Sequence, residues 1–142
     1  MKKRKLQAEL EYNFDLYGIL SALKEYKLAW HLNNELNIQL DKQLDIEIDF
    51  LKSQNVVISN FLFETEHSQI RLLKNRSVGQ FEEHSAYLVP ELKKFDYLMT
   101  VQGYDDTYNK QQLKNILVSI PGLQYVQTFD AVELKSRENL IF

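Results

Sequence analysis

Two histidines lie in similar acidic settings and are the residues best suited to metal chemistry. His67 follows the run 63–66 (FETE) and His84 follows the run 81–83 (FEE), and a serine comes directly after each. If the two segments met in space, imidazole nitrogens and carboxylate oxygens would be suitable ligands for a divalent metal. Two exposed acidic turns account for the same residues, and the spacings match no helix-borne zinc motif. We therefore predict no metal site and no cofactor.

Nucleophilic and phosphate-binding chemistry lacks its usual signatures. The chain has no cysteine, and no serine stands in a Gly-x-Ser-x-Gly turn. A serine next to a histidine on an extended chain, as at 67–68, points to the opposite face. The four glycines are too scattered to form a phosphate-binding loop. We predict no catalytic residue, with acid–base work by Glu91 and Asp96 in a cleft as the enzymatic alternative.

Both of these acids belong to the segment 88–97, LVPELKKFDY. Pro90 lacks a backbone donor, biases Val89 toward an extended conformation and favours the first position of a short helical turn. Glu91 would stabilise the start of that turn, and Asp96 would open the next strand. We predict that the segment is a structural joint rather than an active site.

The composition fits one globular domain with an acidic body, spanning residues 1–142. Of these residues, 44% are hydrophobic and 12% aromatic, which is enough to build a core. The start, MKKRK, holds four of the 17 basic residues, so 13 remain against 20 acidic ones. We interpret residues 1–5 as a flexible basic arm. No apolar run is long enough for a membrane span or a signal peptide, so we expect a soluble cytoplasmic protein with no membrane partner.

Hydrophobic periodicity predicts alternating strands and helices. Strands are predicted at 6–16, 44–50, 56–64, 69–75, 95–102 and 123–129, with helices at 22–36 and around 113–120. Gly18 is expected to interrupt the first strand, Ser21 to cap the first helix, and Asp105, Asp106 or Thr107 to cap the second. The second helix should end at the Ile-Pro-Gly step 120–122.

These elements predict an α+β fold. The last strand, helix and strand form a βαβ crossover, which is almost always right-handed. The step from Ile120 to Leu123 resembles the one that closes the second βαβ unit of ferredoxin-like domains. We predict a single mostly antiparallel sheet of five to six strands with two helices on one face, a split βαβ sandwich with an extra hairpin.

Several aromatic and basic residues are candidates for binding. Tyr26 and Trp30 should widen the buried stripe of the first helix, whose other members are Ala22, Leu28, Ala29, Leu32 and Leu36. Alternatively, they mark an interaction surface together with Arg71, Lys74 and Arg76. A second set of aromatic residues lies on the predicted sheet: Phe61, Phe63, Tyr87 and Tyr97. We expect these residues to pack in the core. The alternative is that they stack nucleic-acid bases beside the same basic residues.

The segment 88–97 also resembles the signature of the bacterial IPExxxVDY family. Pro90-Glu91 and Asp96-Tyr97 match it, while Val89 replaces isoleucine and Phe95 replaces valine with apolar bulk retained. The similarity extends through FDLYGI at 14–19, YKLAW at 26–30 and the end LKSRENLIF at 134–142. The resemblance implies a small cytoplasmic bacterial protein and carries over no catalytic residue, because the family has no assigned activity.

The function that we expect from these features is non-enzymatic. The leading hypothesis is a protein-binding adaptor or regulatory module, with a homodimer through an exposed sheet edge as one form of it. One alternative is an RNA-associated accessory protein that uses the basic arm and a sheet face. Another is a small-molecule sensor built on a ferredoxin-like domain.

Overall fold

The computed structural model describes residues 12–50, 54–78, 86–103 and 107–142. The described strands are β1 (Asp15–Ser21), β2 (Asp41–Lys42), β3 (Ile46–Phe50), β4 (Gln54–Ile58), β5 (Asn60–Glu64), β6 (Gln69–Lys74), β7 (Tyr97–Gln102) and β8 (Leu123–Phe129). The α-helices are α1 (Glu25–Leu36) and α2 (Lys110–Ser119), and short 3₁₀ helices span Pro90–Leu92, Ala131–Glu133 and Arg137–Leu140. The basic arm and most of the first predicted strand lie outside the described residues.

Six strands form one sheet in the order β2-β5-β6-β7-β1-β8, and β3 pairs with β4 in a separate hairpin. Every neighbouring pair in the six-stranded sheet is antiparallel. The α+β class with a mostly antiparallel sheet and two helices is therefore confirmed. The two-residue strand β2 was not predicted. No helix in the described ranges is both long and apolar enough to cross a membrane.

Both faces of the sheet are covered. The first face packs on the two helices in one buried cluster, to which α1 contributes Leu28 and α2 contributes Leu113. The other face packs on the β3–β4 hairpin and on residues from all three 3₁₀ helices. Because side chains alternate across a strand, Met99 of β7 joins the first cluster and Leu98 joins the second. This two-sided burial explains why β7 is apolar almost throughout.

β1 runs straight through Gly18. A Cβ atom at this position would lie 2.8 Å from Cε2 of Phe129 and 2.9 Å from Cδ1 of Phe95. Two aromatic rings thus occupy the space that a side chain would need. The prediction that Gly18 interrupts the strand was wrong, because this glycine permits close packing within the strand.

α1 begins at Glu25, and its N-cap is Lys24 without a side-chain hydrogen bond. Ser21, the predicted cap, is instead the last residue of β1. Its Oγ accepts a 3.1 Å hydrogen bond from the amide of Leu23 and donates a 2.7 Å bond to the carbonyl of Gly122. Ala22, predicted to be helical and buried, is exposed before the helix. The buried stripe of α1 otherwise contains four predicted residues: Leu28, Ala29, Leu32 and Leu36.

α2 is capped by Asn109, and the predicted capping by residues 105–107 was wrong. The Asn109 side chain accepts a 2.8 Å hydrogen bond from the amide of Gln112, whose side chain accepts a 3.0 Å bond from the amide of Asn109. This reciprocal capping box satisfies two amides that a helix start leaves open. As predicted, the exit passes through Pro121 to Gly122, which has a φ of 96°.

The predicted strand 56–64 divides at Ser59 into β4 and β5. Asn60 is fully buried there. Its Nδ2 donates to the carbonyl of Leu44 at 2.9 Å, and its Oδ1 accepts from Nη1 of Arg71 at 2.8 Å. These bonds hold the chain where it passes from the small hairpin into the main sheet. The β5–β6 hairpin closes through residues 65–68, as predicted.

Candidate functional site

The segment 88–97 is organised by a buried asparagine outside it. Asn75 follows β6 and is fully buried. Its Oδ1 accepts a 2.9 Å hydrogen bond from the amide of Val89, and its Nδ2 donates to the carbonyls of Leu92 at 2.9 Å and Phe95 at 3.2 Å. One side chain therefore satisfies three backbone groups of a buried loop. Sequence reasoning missed Asn75, although an amide next to an apolar strand was a signal.

Pro90 occupies the first turn of the 3₁₀ helix, and Val89 is its extended N-cap, as predicted. Glu91 reaches a distant part of the chain, because its Oε2 accepts a 2.8 Å hydrogen bond from the amide of Ser136. Partial burial raises the pKa of Glu91, but hydrogen bonds from the Ser136 side chain and from nearby backbone amides outweigh that effect. The pKa therefore lies below its ordinary value, and the carboxylate fastens the C-terminal segment.

Phe95 is the apolar anchor of the segment. Its ring lies 5.3 Å from that of Phe129 in an edge-on arrangement and 6.1 Å from that of Tyr125 in a stacked one. The ring also covers Gly18, and Lys94 places its ammonium 5.2 Å from the ring centroid. These contacts join the segment to β1 and β8.

Asp96 and Tyr97 hold the connection between β1 and α1. Oδ2 of Asp96 accepts a 2.9 Å hydrogen bond from the amide of Ser21, and the Tyr97 hydroxyl donates to the carbonyl of Leu23. Burial, reinforced by the nearby carboxylates of Glu25 and Asp96, raises the pKa of Tyr97 to about 12. Tyr97 therefore stays neutral near neutral pH and is a poor proton donor. Each of the six signature residues has a structural partner.

A cleft of about 350 Å³ opens beside Asp96. Its polar wall carries four cationic side chains, which come from three different parts of the chain: Lys24, Lys74, Arg76 and Lys93. We call this site the cationic cleft. Glu91 does not line it, so the two acids considered for acid–base work do not share this cleft.

Strand pairing explains why these cations converge. Lys74 ends β6 directly opposite Tyr97, which begins β7. Arg76 forms an isolated antiparallel bridge with Tyr87, so the two residues lie side by side. Lys24 precedes α1, and Lys93 follows the 3₁₀ helix. None of the four cationic side chains makes an ion pair or hydrogen bond with another described residue.

The first helix presents two large aromatic side chains outward. Tyr26 is 63% exposed and Trp30 is 60% exposed, so the prediction that they widen the buried stripe was wrong. The smaller leucine and alanine side chains fill the space over the sheet instead. The Trp30 ring lies 5.0 Å from that of His31 in an edge-on arrangement. Both aromatic residues are available on a helix that is firmly packed on its opposite side.

The predicted interaction surface does not come together as one patch. Lys74 and Arg76 lie in the cationic cleft. Arg71 is half-buried, donates to Asn60 and has its guanidinium 5.2 Å from the Phe142 ring. Burial lowers the pKa of Arg71, partly offset by Glu64. Arg71 therefore has a local structural role.

The sheet aromatics are not available for base stacking as a group. Phe61 and Tyr97 are buried, Phe63 packs against the helix-side cluster, and Tyr87 is half-buried. Core packing was the expected role of these residues. A bare sheet face for RNA is absent in the described part of the chain.

Among the described residues, no histidine belongs to a metal site. His67 lies in the β5–β6 turn, is 87% exposed, and has its Nε2 3.9 Å from Oε2 of Glu66. His84 lies outside the described residues. Within the described ranges, no group of three histidine or carboxylate side chains is arranged to hold a metal ion.

The sequence matches no known protein-family model and no curated protein. The resemblance to the IPExxxVDY family therefore stays a prediction that rests on the residues of segment 88–97 and on the stretches 14–19, 26–30 and 134–142.

Proposed function

We propose that this chain is a non-enzymatic binding module that docks another protein on the exposed side of α1. We call this surface the α1 face and define it by Tyr26, Lys27, Trp30 and Asn34, all of which are exposed. The observation that supports the proposal is the exposure of Tyr26 and Trp30, 63% and 60%. Residues four apart are neighbours on a helix surface, so the two rings form one patch.

The chemistry of this patch suits protein recognition. Tryptophan and tyrosine are enriched among the residues that contribute most to binding at protein interfaces. Lys27 and Asn34 supply a polar rim, as such interfaces usually have. The helix beneath is fixed by its buried leucines, so little ordering is needed when a partner binds.

Substitution of the two aromatic residues tests the proposal. Immobilised wild-type protein and a Tyr26→Ser/Trp30→Ser variant are compared for capture of partners from the native cell. Val118→Ser is the matched control, because Val118 is 57% exposed on α2. We expect a partner that binds wild type and the control but not the double variant.

Trp30 is the only tryptophan, so its fluorescence reports directly on the α1 face. Adding the purified partner should shift the emission to shorter wavelength, because the indole leaves water. Capture of identical proteins by all three forms, with no change in emission, would contradict the proposal.

A split βαβ arrangement of the ferredoxin-like kind is the finer fold that we propose. The strand order β8-β1-β7-β6 and the antiparallel pairing support it. So does the position of β1 between β7 and β8, which α2 connects. The additional strands β5 and β2 extend one edge. An experimental structure with a different order of these four strands would refute the arrangement.

The opposite edge is a candidate for pairing between two copies of the chain. β8 is the edge strand, and its seven residues, LQYVQTF, include no charge and no proline. Natural sheets often protect their edges with charged side chains and prolines, so the β8 edge lacks this protection. Gln127→Lys would place two like charges near each other in an antiparallel dimer. Light scattering should then show a loss of dimer relative to wild type, and a monomeric wild type would exclude this mode.

Family membership and a cytoplasmic location complete the proposal. The signature residues from Val89 to Tyr97 support the family, and the absence of cysteine fits a reducing compartment. Cell fractionation tests the location, and recovery of the protein outside the cytoplasm would contradict it.

A further inference from the structure

We infer that the cationic cleft binds a small phosphate ester that also carries hydroxyl groups, such as a sugar phosphate. Four of the 17 basic residues of a chain with net charge −3 line this one cleft. A concave site lined by one sign of charge concentrates the field and attracts ligands of the opposite sign. The distribution of charge therefore points to an anion.

The four cationic side chains of the cleft and the Tyr87 hydroxyl make no hydrogen bond with another described residue. Arg76 is half-buried, yet its guanidinium makes no hydrogen bond or ion pair with another described residue. A guanidinium can donate two parallel hydrogen bonds to one phosphate. The hydroxyl of Tyr87, beside Arg76, also has no partner among the described residues. Both groups can serve a ligand without breaking a side-chain bond to another described residue.

Asp96 narrows the class of ligand. One of its oxygens accepts from Ser21, and the residue lies among the cations without forming an ion pair in the described part of the chain. A carboxylate repels a ligand that is anionic throughout, but it accepts hydrogen bonds from hydroxyl groups. A phosphate at the cations and a hydroxyl at Asp96 satisfy both kinds of group.

The size of the cleft favours a small molecule. Ligand pockets commonly have volumes of roughly 300–1,000 Å³, and about 350 Å³ lies at the low end. Phe95 and Tyr87 add aromatic surface to the lining. A monosaccharide phosphate fits this volume better than a polymer, which would have to continue over an acidic body.

Calorimetric titration of the purified chain with ribose phosphate tests the inference. Ribose at matched ionic strength is the uncharged control. The cleft variant is Lys74→Gln/Lys93→Gln. Both lysines are exposed, and their side chains make no hydrogen bond or ion pair with another described residue. The matched variant, Lys27→Gln/Lys135→Gln, removes the same charge from exposed positions outside the cleft.

We expect wild type and the matched variant to bind ribose phosphate, with no heat from ribose. The cleft variant should bind at least about tenfold more weakly, because two charge-assisted contacts are lost. Circular dichroism confirms that both variants are folded. The Tyr26→Ser/Trp30→Ser variant should bind ribose phosphate like wild type, because both substitutions lie outside the cleft. A lack of ribose phosphate binding would therefore leave the protein-docking proposal unaffected.

Three results would overturn the inference. One is no binding of ribose phosphate by wild type at millimolar concentration. Another is equal weakening in the cleft and matched variants, which indicates diffuse charge attraction. The third is cleft-dependent binding of a short single-stranded RNA without binding of ribose phosphate, which would assign the cations to a polymer.

Discussion

The Asp96 carboxylate accepts a 2.9 Å hydrogen bond from the backbone amide of Ser21. This bond joins the start of β7 to the end of β1, and the adjacent Tyr97 extends the connection to Leu23. All four residues line the cationic cleft, and Ser21 and Leu23 lie just before α1. The signature segment therefore positions both surfaces that we assign to binding.

Asn75→Ala should lower the free energy of unfolding by about 2–4 kcal/mol, because three buried backbone groups lose their partner. Chemical denaturation measures the change. Asn34→Ala is the control, since Asn34 is exposed on α1 and should change stability by less than about 0.5 kcal/mol. Equal effects of the two substitutions would show that Asn75 does not organise the segment.

Glu91 should make stability depend on acid pH. Its folded-state pKa is lowered from the ordinary 4.5, so the native state favours the carboxylate. The contribution is present above the unfolded pKa and is lost as pH falls through the folded one. Unfolding measured from neutral to acid pH should show a smaller decrease for Glu91→Gln than for wild type. The exposed Glu35→Gln control should follow wild type, and an unchanged pH profile in Glu91→Gln would refute the role.

Tyr97→Phe should destabilise the protein by about 1 kcal/mol, because it removes the hydroxyl bond to Leu23. The raised pKa also predicts that stability falls as pH rises from 10 to about 12, where only the unfolded state loses this proton. Denaturation at alkaline pH should show less of this loss in the phenylalanine variant. Tyr26→Phe, on the exposed face, should behave as wild type.

Gly18→Ala should destabilise by about 1–3 kcal/mol, because the new methyl group would overlap two aromatic rings. Combining Phe129→Leu with Gly18→Ala should relieve part of that overlap. A double-mutant cycle measures this coupling, and strictly additive effects would argue against the close packing.

Local patterns predicted much of the framework. Leu28, Leu32 and Leu36 repeat on one side of α1, and burial of that stripe follows directly from the helical period. Pro121 and Gly122 end the second helix because each has a strong local backbone preference. The α+β class follows from the order of such elements.

What could not be predicted depends on contacts between distant residues. Trp30 adjoins the buried Ala29, and periodicity alone does not decide how wide the buried stripe is. Gly18 looks like a strand break until the rings of Phe95 and Phe129 are seen against it. The cationic cleft was missed because its four cations converge only through the pairing of β6 with β7 and the bridge at Arg76.

Site-specific photo-crosslinking in the native cell tests the central claim, docking of a protein on the α1 face, most directly. A photoreactive amino acid is placed at position 26, at position 30, or at the exposed control position 118 on α2. We predict one defined adduct from positions 26 and 30 and none from 118. No adduct from 26 and 30, or the same adducts from all three positions, would contradict the account.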